Sequence, residues 1–79
     1  FPVRVFQNPV VGELILESDR DMDIEWRLYD MMGRLLLQGK HSLDVGVNQL
    51  GRLDGLVSGL YLVEVSGDRQ NFVLPYMKN

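Results

Sequence analysis

Short apolar segments recur about every ten residues along the chain, and segments rich in Gly, Asp, Asn and Ser separate them. This spacing is typical of strands joined by turns, because alternating strands and helices would need longer periodic segments. The pattern predicts seven β-strands, at residues 3–6, 13–17, 24–28, 35–38, 43–50, 60–66 and 72–77. We therefore predict an all-β fold, either a sandwich or a barrel.

Two of these strands carry the clearest signals. In the third strand Ile24, Trp26 and Leu28 alternate with charged residues, as a strand with one buried face requires. Residues 60–66 are mostly apolar on both faces, which predicts a central strand. Three aromatic side chains lie in phase with apolar faces and are expected in the core: Trp26, Tyr61 and Phe72.

Glycine and acidic residues mark the predicted turns. Gly33 suits the positive-φ position of a hairpin with a bulge, which predicts a hairpin over residues 29–34. We expect an acidic loop at 19–23, a turn at 39–42, and a connection at 51–59 that lies against one end of the fold.

Some apolar residues stand where polar ones are usual. Met31 and Met32 fall at the predicted hairpin tip, where they either form an adaptable contact surface or send one side chain back over the core. Residues 35–37 are apolar on both faces, so either both faces are covered or one is available to a partner. Pro75 lacks an amide donor, so we expect the last strand at a sheet edge, where it could pair with another chain, or an early end to it.

Composition and charge narrow the function. The 79 residues make one domain with a thin core, and the net charge of −3 has the wrong sign for binding phosphate backbones. There is no cysteine and hence no disulfide, and no apolar run approaches the length of a membrane-spanning helix. Because the chain begins at Phe1, without an initiator Met or a signal-peptide pattern, we expect a segment of a larger protein.

Candidate catalytic and metal-binding patterns are weak. His41, Ser42 and Asp44 supply the residue types of a hydrolytic triad, but neighbours on a strand point to opposite faces and do not converge. The acidic loop resembles a calcium loop in its spacing, yet Ile24 stands where that loop needs glycine. We predict no catalytic, cofactor-binding or metal-binding residues and no enzymatic activity, and leave open whether the loop binds calcium.

Three motifs resemble one family, the type A C-terminal sorting domain of type IX secretion cargo proteins. Residues 5–9 (Val-Phe-Gln-Asn-Pro) are similar to its opening aromatic-Pro-Asn-Pro, although Gln7 replaces the first proline. Residues 29–36 (Tyr-Asp-Met-Met-Gly-Arg-Leu-Leu) resemble its Tyr-Asp-x-x-Gly-Arg hairpin, and residues 56–63 (Leu-Val-Ser-Gly-Leu-Tyr-Leu-Val) resemble its Leu-x-x-Gly-hydrophobic-Tyr strand. Pro75 departs from the hydrophobic last strand of the family, while Lys78 supplies its terminal basic residue.

The resemblance implies a seven-stranded antiparallel immunoglobulin-like β-sandwich at the C-terminus of a larger exported protein. It further implies recognition in the periplasm after Sec export and passage of the cargo through the type IX translocon, with outer-membrane shuttle proteins as partners. A sortase-like protease would then remove the domain and attach the cargo to the cell surface, or the cargo would be secreted. The candidate recognition or motif residues are Asn8, Pro9, Asp30, Met31, Met32, Gly33, Arg34, Gly59, Tyr61, Val73 and Lys78.

Two other functions remain open from the sequence. A sandwich of this size could be an accessory domain that binds carbohydrate or calcium beside an extracellular enzyme, which would need exposed aromatics or an acidic cage. It could also be a passive structural spacer. The sequence likewise leaves open an edge-strand dimer, the cleavage site and the identity of the cargo.

Overall fold

The computed structural model describes residues 2–5, 12–53 and 55–78. Over those residues the chain forms seven β-strands and no helix. The strands are β1 (Val3–Val5), β2 (Glu13–Ser18), β3 (Met22–Tyr29), β4 (Leu35–Leu43), β5 (Gly46–Arg52), β6 (Gly59–Gly67) and β7 (Gln70–Lys78). The prediction of an all-β fold with seven strands is therefore confirmed.

The strands form two antiparallel sheets that pack as a sandwich. One sheet has three strands in the order β1-β2-β5, and the other has four in the order β4-β3-β6-β7. Successive strands change sheet between β2 and β3, between β4 and β5 and between β5 and β6, which gives the Greek-key connectivity of immunoglobulin-like domains. The central position predicted for the sixth strand and the edge position predicted for the seventh are confirmed.

The core lies between the inner faces of the two sheets. In the four-stranded sheet it takes every second residue of β3 and β6, as the alternation along those strands requires. Trp26, Tyr61 and Phe72 are all buried, which confirms the prediction that these aromatics belong to the core. The Trp26 ring covers Gly39 of the neighbouring strand, because the missing side chain leaves room for it.

Several predicted boundaries are wrong. The connection predicted at 51–59 is shorter, because Gly51 and Arg52 belong to β5 and Gly59 begins β6. Residues 39–42 form no turn, since β4 continues through them and pairs with β3 along its whole length, from Leu35 to Leu43. The fifth strand is Gly46–Arg52 instead of 43–50. The acidic loop is shorter than expected because its last two residues, Met22 and Asp23, begin β3.

The physical reason lies in the position of β4. It is an edge strand whose inner face is only partly covered between Leu37 and His41, so its sequence does not need the apolar alternation that identifies a half-buried strand. Residues 38–42 have the polar composition and the glycine that are typical of a turn, but pairing with β3 keeps them extended.

Candidate functional site

The β3–β4 hairpin is closed by the carboxylate of Asp30. Its Oδ1 accepts hydrogen bonds from the backbone amides of Met32 and Arg34, each at 2.9 Å, and its Oδ2 accepts one from Arg34 Nε at 2.6 Å. The Gly33 amide donates to the Asp30 carbonyl at 3.1 Å, with Gly33 at a φ of +85°. The turn predicted from Gly33 is confirmed, and the bulge lies at the end of the β3–β4 pairing.

These contacts also set the charge of the hairpin. The Arg34 backbone amide, helped by its guanidinium and by the Met32 amide, holds the pKa of Asp30 below its usual value. Asp30 is therefore ionised and acts as a fixed acceptor, and the ion pair with Arg34 leaves the tip without net charge.

Met31 and Met32 project from this hairpin into solvent. Their exposed fractions are 56% and 82%, so the alternative in which one methionine folds back over the core is wrong. Since the backbone beneath them is held by the Asp30 carboxylate, two flexible apolar side chains are presented at a fixed position.

The outer side of the four-stranded sheet continues this apolar surface. Leu35, Tyr29, Leu62 and Pro75 stand in register across all four strands, and Leu60 faces Met77 in the adjacent row. We name as the outer apolar face the side chains of Tyr29, Leu35, Leu60, Leu62, Val73, Pro75 and Met77. Natural monomers seldom leave contiguous apolar patches of this kind without a binding role.

The charged side chains that border the outer apolar face form ion pairs with one another. Arg27 lies 3.6 Å from Glu25 and 3.4 Å from Glu64, and Lys40 lies 3.7 Å from Glu25. The Tyr29 hydroxyl donates to Glu64 at 3.2 Å, and burial followed by the Glu64 charge raises the pKa of Tyr29. The face thus offers apolar area with little unpaired charge.

The third motif has a structural role in the link between the sheets. The Tyr61 hydroxyl donates to the Val57 carbonyl at 2.5 Å, and Gly59 takes a φ of +149° between them. A tyrosine near the start of the sixth strand that bonds four residues upstream is the tyrosine corner of immunoglobulin-like sandwiches. The Leu-x-x-Gly-x-Tyr spacing follows from this geometry, since only glycine adopts that φ without strain.

Lys78 and Val73, both candidates on the last strand, differ in environment. Lys78 is 8% exposed and its Nζ donates to the Leu56 carbonyl at 2.6 Å, which ties β7 to the β5–β6 connection. Val73 lies on the outer apolar face and is exposed. The ammonium group of Lys78 therefore stabilises the fold.

Most of the candidate residues meet at one end of the sandwich. The pairs Tyr29 with Leu62 and Gly59 with Lys78 bring the methionine tip, the tyrosine corner and the end of β7 to that end. Asn8 and Pro9 lie outside the described residues. The sequence motifs do not place Tyr29, Leu62 and Pro75 in one row, although apolar residues on both faces of the sixth strand were a signal for it.

The polar candidates at the other end serve local structure. The Ser42 hydroxyl donates to Asp23 Oδ1 at 2.7 Å, and the Asp44 amide donates to Asn48 Oδ1 at 2.9 Å. An open groove of about 630 Å³ beside Ser42 is lined by the bonded pair Ser42 and Asp23 and by the ion pair of Lys40 and Glu25. In the described part of the chain, no group of three or more His, Asp or Glu side chains is placed to hold a metal ion.

Fold and surface together define a small immunoglobulin-like sandwich that carries an exposed apolar face. A family model described as the secretion system C-terminal sorting domain matches residues 4–75, and the chain belongs to that family. Domains of this family are sorting signals of type IX secretion cargo proteins, which implies export across the outer membrane to the cell surface or the medium.

No curated protein matches the chain significantly. Within the described residues, no helix is long and apolar enough to cross a membrane.

Proposed function

We propose that residues 1–79 form the C-terminal domain of a larger exported protein and direct it through the type IX outer-membrane translocon. The family match over residues 4–75 carries this proposal. The domain is recognised in the periplasm after Sec export and passed to the translocon with its shuttle proteins. A sortase-like protease then removes it, and the cargo is attached to the surface or released.

We assign recognition to the outer apolar face and the methionine tip. Two observations support this: both surfaces are exposed, and the neighbouring charges are paired within the domain. A translocon component can therefore bury apolar area there without separating ion pairs, which would otherwise cost binding energy.

The domain itself catalyses no reaction in this proposal. His41 and Ser42 are successive residues of an extended strand, so their side chains point to opposite faces, and the Ser42 hydroxyl donates to Asp23. The role of the domain is to be bound, and the chemistry of removal belongs to the protease.

A reporter fusion tests the proposal. Residues 1–79 are joined to the C-terminus of a fluorescent protein that carries a signal peptide, in hosts with and without a working type IX translocon. We expect surface or medium fluorescence in the competent host alone. Retention of the folded fusion in the periplasm of both hosts would contradict a sorting role.

Paired variants locate the recognised surface. Met31→Ser with Met32→Ser removes apolar area from the tip without touching the Asp30 contacts, which use backbone amides. Val45→Ser with Val47→Ser is the matched control, because these valines are similarly exposed but lie in the β4–β5 link and in the other sheet. We expect secretion to fall for the methionine pair alone; equal secretion of both variants would move recognition away from the tip.

A further inference from the structure

The two edges of the four-stranded sheet differ in their capacity to accept another strand. β7 carries Pro75 in the middle of the edge, and proline there removes an amide donor. The far end of β7 is also occupied, because Lys78 is buried against the Leu56 carbonyl. β4 at the opposite edge contains no proline and pairs only with β3 among the described strands.

The edge of β4 lacks most of the features that protect natural edges. Proteins usually block an edge with proline, charged side chains such as lysine, short strands or bulges, and of these β4 carries Lys40 and one bulge. β4 is nine residues long, and its bulge lies at its first residues, so pairing with β3 is regular from Leu37 to Leu43. Leu35 and Leu37 are 46% and 37% exposed, respectively.

The ionisable side chains of β4 are all basic. The strand contains Lys40 and His41 and no acidic residue. The Lys40 side chain is 82% exposed, so its ammonium group can contact a second carboxylate in addition to Glu25, which lies 3.7 Å away. An incoming strand therefore meets apolar groups at one end and a basic group further along.

We propose that the β4 edge accepts an extended segment of a partner protein as an added antiparallel strand. That segment is apolar where it passes Leu35 and Leu37 and acidic where it passes Lys40. Its main chain pairs with the outward-pointing amides and carbonyls of residues 37–43, which are those not bonded to β3, and its side chains give the selectivity. This proposal goes beyond the sorting role, because strand pairing at the β4 edge does not require that the partner take part in secretion.

A second copy of the chain fits this edge less well. Pairing of two β4 edges centred on Gly39 would bring the two Lys40 side chains to diagonal positions on one face, where like charges repel.

The test uses the isotopically labelled 79-residue chain and a synthetic probe. The probe is a short acetylated and amidated peptide that begins with glutamate and continues with alternating threonine and valine. Amide NMR shifts and hydrogen exchange are followed during titration. We expect shifts and slowed exchange in β4 and none in β7, and no binding by the same peptide with alternate amides N-methylated.

Variants separate edge pairing from nonspecific adhesion. Leu35→Lys with Leu37→Lys places charges on the edge and should weaken binding about tenfold, while Val57→Lys, at an exposed position between β5 and β6, should leave it unchanged. Retained dispersion of the amide spectrum shows that each variant is folded. Binding of the N-methylated peptide, shifts confined to β7, or protection of β4 that rises with protein concentration without peptide would each overturn the proposal. None of these outcomes depends on secretion, so failure here is distinguishable from failure of the sorting role.

Discussion

The two hairpins of the four-stranded sheet close its opposite ends by different means. At the β3–β4 tip the positive φ falls on Gly33, and the Asp30 carboxylate binds the turn amides. At the β6–β7 turn Asp68 and Arg69 both have positive φ, at 55° and 60°, as a two-residue type I′ turn requires.

The difference shows where each hairpin gets its geometry. Turn chemistry determines the first hairpin, which carries the exposed methionines. In the second, Asp68 tolerates the left-handed conformation but Arg69 resists it, so the strands on either side must help to impose it. Gly67, next to that turn, is in close contact with the β3 backbone, which fixes the position of the strand.

Among the substitutions that test this comparison, Gly67→Ala should lower the stability of the domain most. An added Cβ would lie 2.6 Å from the Asp23 carbonyl oxygen and 3.0 Å from Ile24 Cγ2, and a backbone oxygen cannot move aside easily. We expect the free energy of unfolding to fall by about 3 kcal/mol, measured by urea denaturation. A loss below about 1 kcal/mol would show that the second hairpin is less constrained by its strands than we infer.

Gly39→Ala tests the equivalent close contact in the first hairpin. The new Cβ would lie 2.9 Å from Trp26 Nε1, but an aromatic ring can shift more easily than backbone. We expect a loss of about 1–2 kcal/mol and a changed tryptophan fluorescence spectrum. Gly55→Ala is the control, because nothing lies within 4 Å of its added Cβ, and an equal loss there would exclude the ring as the cause.

Substituting one turn residue in each hairpin should change stability in opposite directions. Gly33→Ala forces an alanine to a φ of +85° and should cost about 1–2 kcal/mol. Arg69→Gly relieves a residue at a φ of 60° and should stabilise by about 0.5–1 kcal/mol. Thermal unfolding measures both, and a destabilised Arg69→Gly would mean that the arginine makes a contact worth more than its strain.

Of the effects predicted for the two hairpins, the pH dependence of the stability that Asp30 gives the first hairpin should be the smallest. Because the folded pKa of Asp30 is lowered, its contribution is present above the unfolded value of 3.8 and is lost as the pH falls through the folded pKa. We expect the difference in Tm between the native chain and Asp30→Asn to shrink as the pH falls below about 4. A difference that stays constant into strong acid would show that the carboxylate charge is not what the turn requires.

Local sequence was sufficient for the strongly patterned parts of the molecule. The alternation around Trp26 identified β3, and the two-faced apolar run identified β6 as central. Gly33 predicted the hairpin, because a positive φ in a tight turn depends on the residue that occupies it. The edge position of β7 followed from Pro75 for the same reason, since a missing donor is a property of the residue alone.

Only the tertiary structure decided the extent of β4, the exposure of the methionines and the outer apolar face, the surface that we propose for recognition. The polar residues 38–42 are extended because β3 pairs with them. Whether Met31 and Met32 cover the core depends on the space beneath them, which no local pattern encodes. The row of Leu35, Tyr29, Leu62 and Pro75 draws one residue from each of four strands, so it exists only once registers between distant segments are fixed, and those registers follow from packing of the whole core.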